Sequence, residues 1–184
     1  MFASQAQALK PHMWRRQMAQ FVQVLHVIAM ALAVWKGLSL VTNTESPVVV
    51  VLSGSMEPAF HRGDLLFLTM TSKPIEPGEI TVYRVPDTEI PIVHRVIEAR
   101  DKYVLTADHS GRRGQLLLTK GDNNQDDDIM LYRGPRWISS EQIVGRVQGF
   151  LPYAGYITIL LNDYPALKYV VLSLLGLSLF FERE

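Results

Sequence analysis

From Phe21 to Val41 the chain carries an apolar run long enough to cross a lipid bilayer. A spanning helix needs about 20 predominantly apolar residues, and this run meets that length with Gln23, His26 and Lys36 as its polar members. Lys36 lies near one end, where its amine can reach the interface, and Trp14 and Trp35 suit interfacial positions. A cleaved signal peptide is the competing reading. Its apolar core is only about 7–15 residues long and ends at small residues, whereas Trp35-Lys36 stands where small residues are wanted. A retained anchor is therefore expected over residues 21–42. Lys10, Arg15 and Arg16 precede it, and Lys36 is the one nearby base beside its far end. The positive-inside bias predicts a cytosolic segment over 1–20, with the rest of the chain on the far side, as a single-pass type II protein.

Composition removes several function classes. Lys+Arg and Asp+Glu are both 18, so the formal net charge is zero and no basic surface recommends a nucleic-acid partner. The absence of cysteine excludes disulfides, thiolate metal sites and a cysteine nucleophile. Hydrophobic residues make up 48% and the mean hydropathy is +0.09, consistent with part of the apolar material facing lipid. No Asn-x-Ser/Thr acceptor for N-glycosylation is present.

Beyond Ser46 the pattern changes to short β-rich runs broken by turn residues. Strands are expected at 48–51, 65–69, 79–84, 90–97, 103–106, 116–119 and 143–147, with turns at Pro77-Gly78 and Gly121-Asp122-Asn123-Asn124. Many short, closely spaced strands predict a mainly β domain, placed over residues 43–165. The C-terminal apolar run Tyr169–Phe181 is short for a span. It is expected to form a membrane-associated helix within 166–184, the alternatives being a helix packed on partner subunits or a core helix.

Ser53-Gly54-Ser55 directly follows the first strand. A small residue beside a serine lets the backbone turn tightly and admits a substrate carbonyl, although the same residues also make an ordinary polar turn. A serine hydroxyl needs a base to become a nucleophile. Of five histidines, His12 precedes the anchor and His26 lies within it, leaving His61, His94 and His109. His94 closes an apolar strand run, which would hold it on a fixed scaffold; a satisfied structural histidine is the plain alternative. Asp122, Asp126, Asp127 and Asp128 form an acidic turn able to supply an orienting carboxylate. A calcium loop is also conceivable there, but the alternating acids, central glycine and distal glutamate of an EF-hand are missing. Arg62-Gly63-Asp64 is an integrin-like triplet.

Three ordered segments carry a more specific resemblance. The run from Ser46 to Phe67, containing Ser53-Gly54-Ser55-Met56-Glu57-Pro58, resembles the nucleophile box of type I signal peptidases. Its form is that of the catalytic subunit of the eukaryotic endoplasmic reticulum signal peptidase complex. Ile90-Pro91-Ile92-Val93-His94-Arg95-Val96 resembles that family's base box, and Lys120-Gly121-Asp122-Asn123-Asn124 with the trailing acids its acidic box. Ile143–Arg146, Gly149-Phe150 and Pro152–Gly155 resemble its closing strand and turn. With the anchor, the resemblance covers about residues 20–184.

The resemblance implies a signal-peptidase-like β catalytic domain. It implies a serine endopeptidase with Ser55 as nucleophile and His94 as general base, where bacterial relatives place a lysine. The family's acidic partner lies six residues after the aspartate of the Gly-Asp pair, which without a gap is Asp128; Asp127 is one residue away and Asp122 is a supporting candidate. The backbone N–H of Ser55 and the Ser53 side chain are the implied oxyanion donors. Signal-peptide-bearing preproteins are the implied substrates, and further membrane subunits and the bilayer the implied partners. The endoplasmic reticulum membrane is the implied location, and neither cofactor nor metal is implied. A non-enzymatic paralogue would lack one of the three catalytic residue types, all present here. The continuity of the nucleophile box favours the eukaryotic form over a single-chain archaeal or bacterial enzyme. Ser55 follows Val41 by 14 residues, so an extended chain keeps the nucleophile within about 50 Å of the span.

Overall fold

A computed structural model describes residues 2–86, 88, 90–105 and 111–181. The chain divides into two compact units, one ending at Val41 and the other beginning at Thr42. The first consists of helix α1 (Phe2–Thr42) short of its last residue, and the Trp14–Thr42 portion of that helix is 29 residues long with its most apolar stretch entirely unburied. It is the one unbroken helix among the described residues long and apolar enough to cross a membrane.

The second unit is mainly β. Strands β1 (Val48–Val50), β2 (Leu65–Thr69), β3 (Ile80–Tyr83), β4 (Ile92–Leu105), β5 (Gly111–Lys120), β6 (Ile138–Ser139) and β7 (Ile143–Leu151) form one sheet in the order β1-β2-β7-β3-β4-β5-β6. Every pairing is antiparallel. The last strand thus returns to lie between β2 and β3, which brings the segment after β1 and the middle of β4 into one sheet.

Successive strand residues face opposite sides, and the two cores follow that alternation. Val82 joins Val51, Met56, Phe60, Leu66 and Leu68 in one cluster. Its neighbour Tyr83 joins Ile75, Val96, Leu117, Tyr132 and Ile138 in the other. The first cluster seats the segment after β1, because Met56 and Phe60 are buried in it. The second lies beneath the histidine strand: Ile92 and Val96 pack on it, and His94 falls between them on the same face.

β4 is a single strand where two were expected, at 90–97 and 103–106. Polar Glu98–Lys102 continues the ladder with β5, with a register shift between Val96 and Glu98. Past that shift the ladder is held by backbone pairing, which polar side chains do not oppose. β5 likewise reaches back to Gly111. At the C-terminus, α2 (Tyr156–Asp163) was not anticipated, and α3 (Pro165–Phe181) starts four residues before the apolar run. Proline suits the first helical turn, where its missing N–H is not needed. The two helices meet at a bend of 106°. The described side chains at Tyr169, Val170, Val171, Leu172 and Leu174 are exposed, so this part of α3 is not a core helix.

Candidate active site

The segment between β1 and β2 is a compact loop that delivers Ser55. Val51 N–H donates to Asp64 O and Gly63 N–H to Val51 O, closing the loop at its base. Asp64 is buried and accepts from the backbone N–H groups of His61 (2.9 Å) and Tyr153 (3.1 Å). Gly63 has φ of +94°, and a side chain there would run into the Tyr156 ring. These contacts account for the Arg62-Gly63-Asp64 triplet as a structural turn, its carboxylate turned inward rather than offered to a receptor.

Three residues from separated stretches meet at the end of this loop. Ser55 Oγ lies 3.1 Å from His94 Nε2, and His94 Nδ1 lies 2.6 Å from Asp128 Oδ2. His94 is 3% exposed and Asp128 1%, while Ser55 is half-buried. A carboxylate only accepts, so the imidazole proton is placed on Nδ1 and the Nε2 lone pair faces the serine hydroxyl. A hydroxyl, a correctly oriented imidazole and a buried carboxylate in this order can activate the hydroxyl as a nucleophile. Ser53 Oγ stands 3.3 Å from Ser55 Oγ, close to the same reaction space.

The carboxylate is held by more than the histidine. Tyr83 OH donates to Asp128 Oδ2 at 3.0 Å and Thr119 Oγ1–H donates at 2.5 Å. Thr119 in turn pairs with Tyr132, whose hydroxyl accepts from Thr119 N–H (2.8 Å) and lies 2.9 Å from Thr119 Oγ1. With Thr119 donating to the carboxylate, Tyr132 donates to Thr119, and the chain is consistent in its protons. Burial raises the pKa of both phenols above the ordinary tyrosine value, with the Asp128 charge adding to the rise. They therefore remain proton donors.

The acidic turn divides its residues among separate tasks. Asp128 opens a 3₁₀ turn (Asp128–Tyr132), and Asp127 caps it, accepting from Ile129 N–H at 3.2 Å. Asp122 does not contact His94. It forms a two-pronged pair with Arg95 (2.8 and 2.6 Å), and Arg95 also donates to Gly78 O. Donating to the Asp122 carboxylate raises the Arg95 pKa above the ordinary arginine value. Among the described residues no cluster of three or more His, Cys, Asp or Glu is arranged to hold a metal ion. His61 is exposed and His26 lies on α1, while His109 falls outside the described residues.

Tyr83, Thr119, Tyr132 and Arg95 were not singled out from the sequence. The first three stand among apolar strand and turn residues and read as ordinary core. A hydroxyl on the same strand face as His94 was the available signal: Tyr83 pairs with Ile92, two residues from His94, and Thr81 pairs with His94 itself.

A family model described as Peptidase S24-like matches residues 19–132, and one described as Signal peptidase C-terminal short helix matches 156–181. The class is thus an S24-like peptidase. The chain is 50% identical over 193 aligned positions to the signal peptidase complex catalytic subunit SEC11 of Schizophyllum commune, all of both chains being covered. It is 50% identical to the catalytic subunit SEC11C of Homo sapiens, over 89% of this chain and 84% of that one. The same identity holds against sec11 of Aspergillus oryzae, over 92% and 94%. The chain belongs to the family of signal peptidase complex catalytic subunits.

Proposed function

We propose that this chain is a membrane-bound serine endopeptidase that removes N-terminal signal peptides from preproteins at the endoplasmic reticulum. The contact series Ser55 Oγ–His94 Nε2 and His94 Nδ1–Asp128 Oδ2 is the observation that carries the reading. His94 takes the Ser55 proton as the oxygen attacks the scissile carbonyl, and Asp128 stabilises the imidazolium that results. The proton passes to the leaving amine, and water then releases the acyl-enzyme by the reverse roles. The Ser55 backbone N–H, assisted by Ser53, meets the charge that develops on the carbonyl oxygen.

The second half of the proposal concerns placement. Helix α1 spans the membrane from a cytosolic N-terminus and tethers the catalytic unit on the lumenal side. The tether confines Ser55 to membrane-proximal bonds, where the apolar core of a signal ends and its small residues begin. The exposed apolar side chains of α3 associate with lipid or with further subunits of a complex.

Ser55→Ala is the direct test. In the complex purified in mild detergent, the variant is expected to assemble with its co-purifying subunits and to lose preprotein cleavage by about 10³-fold or more. Cleavage at the wild-type rate by pure Ser55→Ala enzyme would remove Ser55 as the nucleophile.

A further inference from the structure

The turn that presents Ser55 is gripped from outside by a single residue of the acidic turn. Asn123 N–H donates to Ser55 O at 2.9 Å, and Asn123 Nδ2 donates to Gly54 O at 3.1 Å. One asparagine thus holds both carbonyls flanking the nucleophile. The second accepts another bond as well, from Glu57 N–H at 3.3 Å. The approach of the two turns is tight. A side chain at Gly121 would lie 2.7 Å from Ser55 O and equally close to the Asn124 amide.

These contacts bear on the peptide unit between Gly54 and Ser55. A peptide is planar and, here, trans, so its C=O and N–H point to opposite sides. The carbonyl end is engaged twice. The N–H end, belonging to Ser55, donates to no partner among the described residues. Fixing the oxygen of such a unit fixes the direction of its N–H. Hydrogen bonds to the oxygen also polarise the amide and make the N–H a stronger donor. A preorganised N–H beside the attacking oxygen is what a developing oxyanion requires.

We infer that Asn123 is a positioning residue for transition-state stabilisation: it clamps the Gly54–Ser55 peptide so that the Ser55 N–H faces the oxyanion. The inference rests on Ser55 being the nucleophile, as proposed above. Asn123 belongs to the turn that also carries Asp122 and Asp128, so one turn serves both ends of the site. Asp128 orients the base, and Asn123 aims the donor.

The test uses Asn123→Ala and the near-isosteric Asn123→Asp in the intact purified complex. Both keep the backbone N–H to Ser55 O, and both lose the amide donor to Gly54 O. With a fluorogenic signal-sequence peptide, kcat is expected to fall about 10-fold or more while KM stays within about twofold. Complete loss of an oxyanion donor costs about 10²–10³, and a misaimed donor lies below that. In Asn123→Ala the acid limb of the pH–rate profile is expected to match wild type, because no charge is added near the base, and the thermal midpoint of both variants is expected to stay near wild type, because the backbone bond to Ser55 O remains. Wild-type kcat in both variants would overturn the inference. So would a fall in kcat accompanied by an equal rise in KM or a lowered midpoint, the mark of a loosened loop. Ser55→Ala assayed alongside separates the two readings. If it is inactive while the Asn123 variants are normal, only the clamp fails; if it is active, the nucleophile assignment fails with it.

Discussion

At Asp128, a single carboxylate oxygen collects hydrogen bonds from His94, Tyr83 and Thr119 within one buried pocket. A buried charge without partners is costly, so these donors are what allow a carboxylate to lie behind the histidine at all. Tyr83→Phe removes one of them. A hydrogen bond to a charged group contributes about 1.5–3 kcal/mol, and the variant is expected to lose stability of that order near neutral pH. The same substitution has a second signature at high pH. Burial, aided by the Asp128 charge, raises the Tyr83 pKa in the folded chain, while in the unfolded chain it ionises near the ordinary tyrosine value of 10.0. Its contribution is therefore complete below that value and is lost as pH rises past it, where only the unfolded chain releases the proton. Thermal midpoints measured between neutral pH and about 12 are expected to decline less steeply in Tyr83→Phe than in wild type. An equal or steeper decline would contradict the assignment of a buried, protonated phenol. The sequence left this pocket partly hidden. The apolar run ending at His94 pointed to a strand-held imidazole, but three consecutive aspartates share no distinguishing pattern, and the chain's turn into the 3₁₀ segment separates Asp127 from Asp128.

Among the elements, the loop from β1 to β2 depends on Gly63. Its φ of +94° and the Tyr156 ring atoms 2.2–2.3 Å from an added Cβ both oppose any side chain. Gly78 has a similar φ of +97° with open space around it. The pair therefore separates backbone strain from crowding. Gly78→Ala is expected to cost about 1–2 kcal/mol from the left-handed conformation alone. Gly63→Ala adds overpacking of about 1–3 kcal/mol. In a Tyr156→Ala background, Gly63→Ala is expected to cost about as little as Gly78→Ala, and denaturant midpoints of the two single glycine variants, Tyr156→Ala and the double variant measure it. Equal losses in the two single glycine variants would show that Tyr156 does not crowd Gly63. The strands themselves were largely legible, because each core strand alternates or runs apolar between turn residues. Two features were not. The continuous β4 carries a polar middle that hydropathy reads as a break, although backbone pairing with β5 tolerates it. β6, with two residues, is too short to show any period and exists through its pairing with β5.

For the molecule as a whole, the decisive property is which side of a bilayer the catalytic unit occupies. The charges around the apolar run of α1 are asymmetric: Lys10, Arg15 and Arg16 lie before that run, and Lys36 stands as the single base near its other end. Such a bias holds the more basic flank in the cytosol, so residues from Thr42 onward are placed in the lumen under the proposed function. The chain contains no N-glycosylation acceptor of its own, which leaves an introduced one free of background. The segment around Arg133 and Gly134 is exposed and follows the 3₁₀ turn, with Arg133 already in the left-handed conformation at φ 53°. An Asn-Ser-Thr insertion between Gly134 and Pro135 is expected to be glycosylated in microsomes and to show a mobility shift reversed by endoglycosidase. Replacing Lys10, Arg15 and Arg16 together by glutamine removes the bias, and the glycosylated fraction is expected to fall. An acceptor placed ahead of residue 1 is expected to remain unmodified in the parent chain. Glycosylation of that N-terminal acceptor, with none at the insertion, would place the catalytic unit in the cytosol, where a protease acting on translocated preproteins has no access to its substrate.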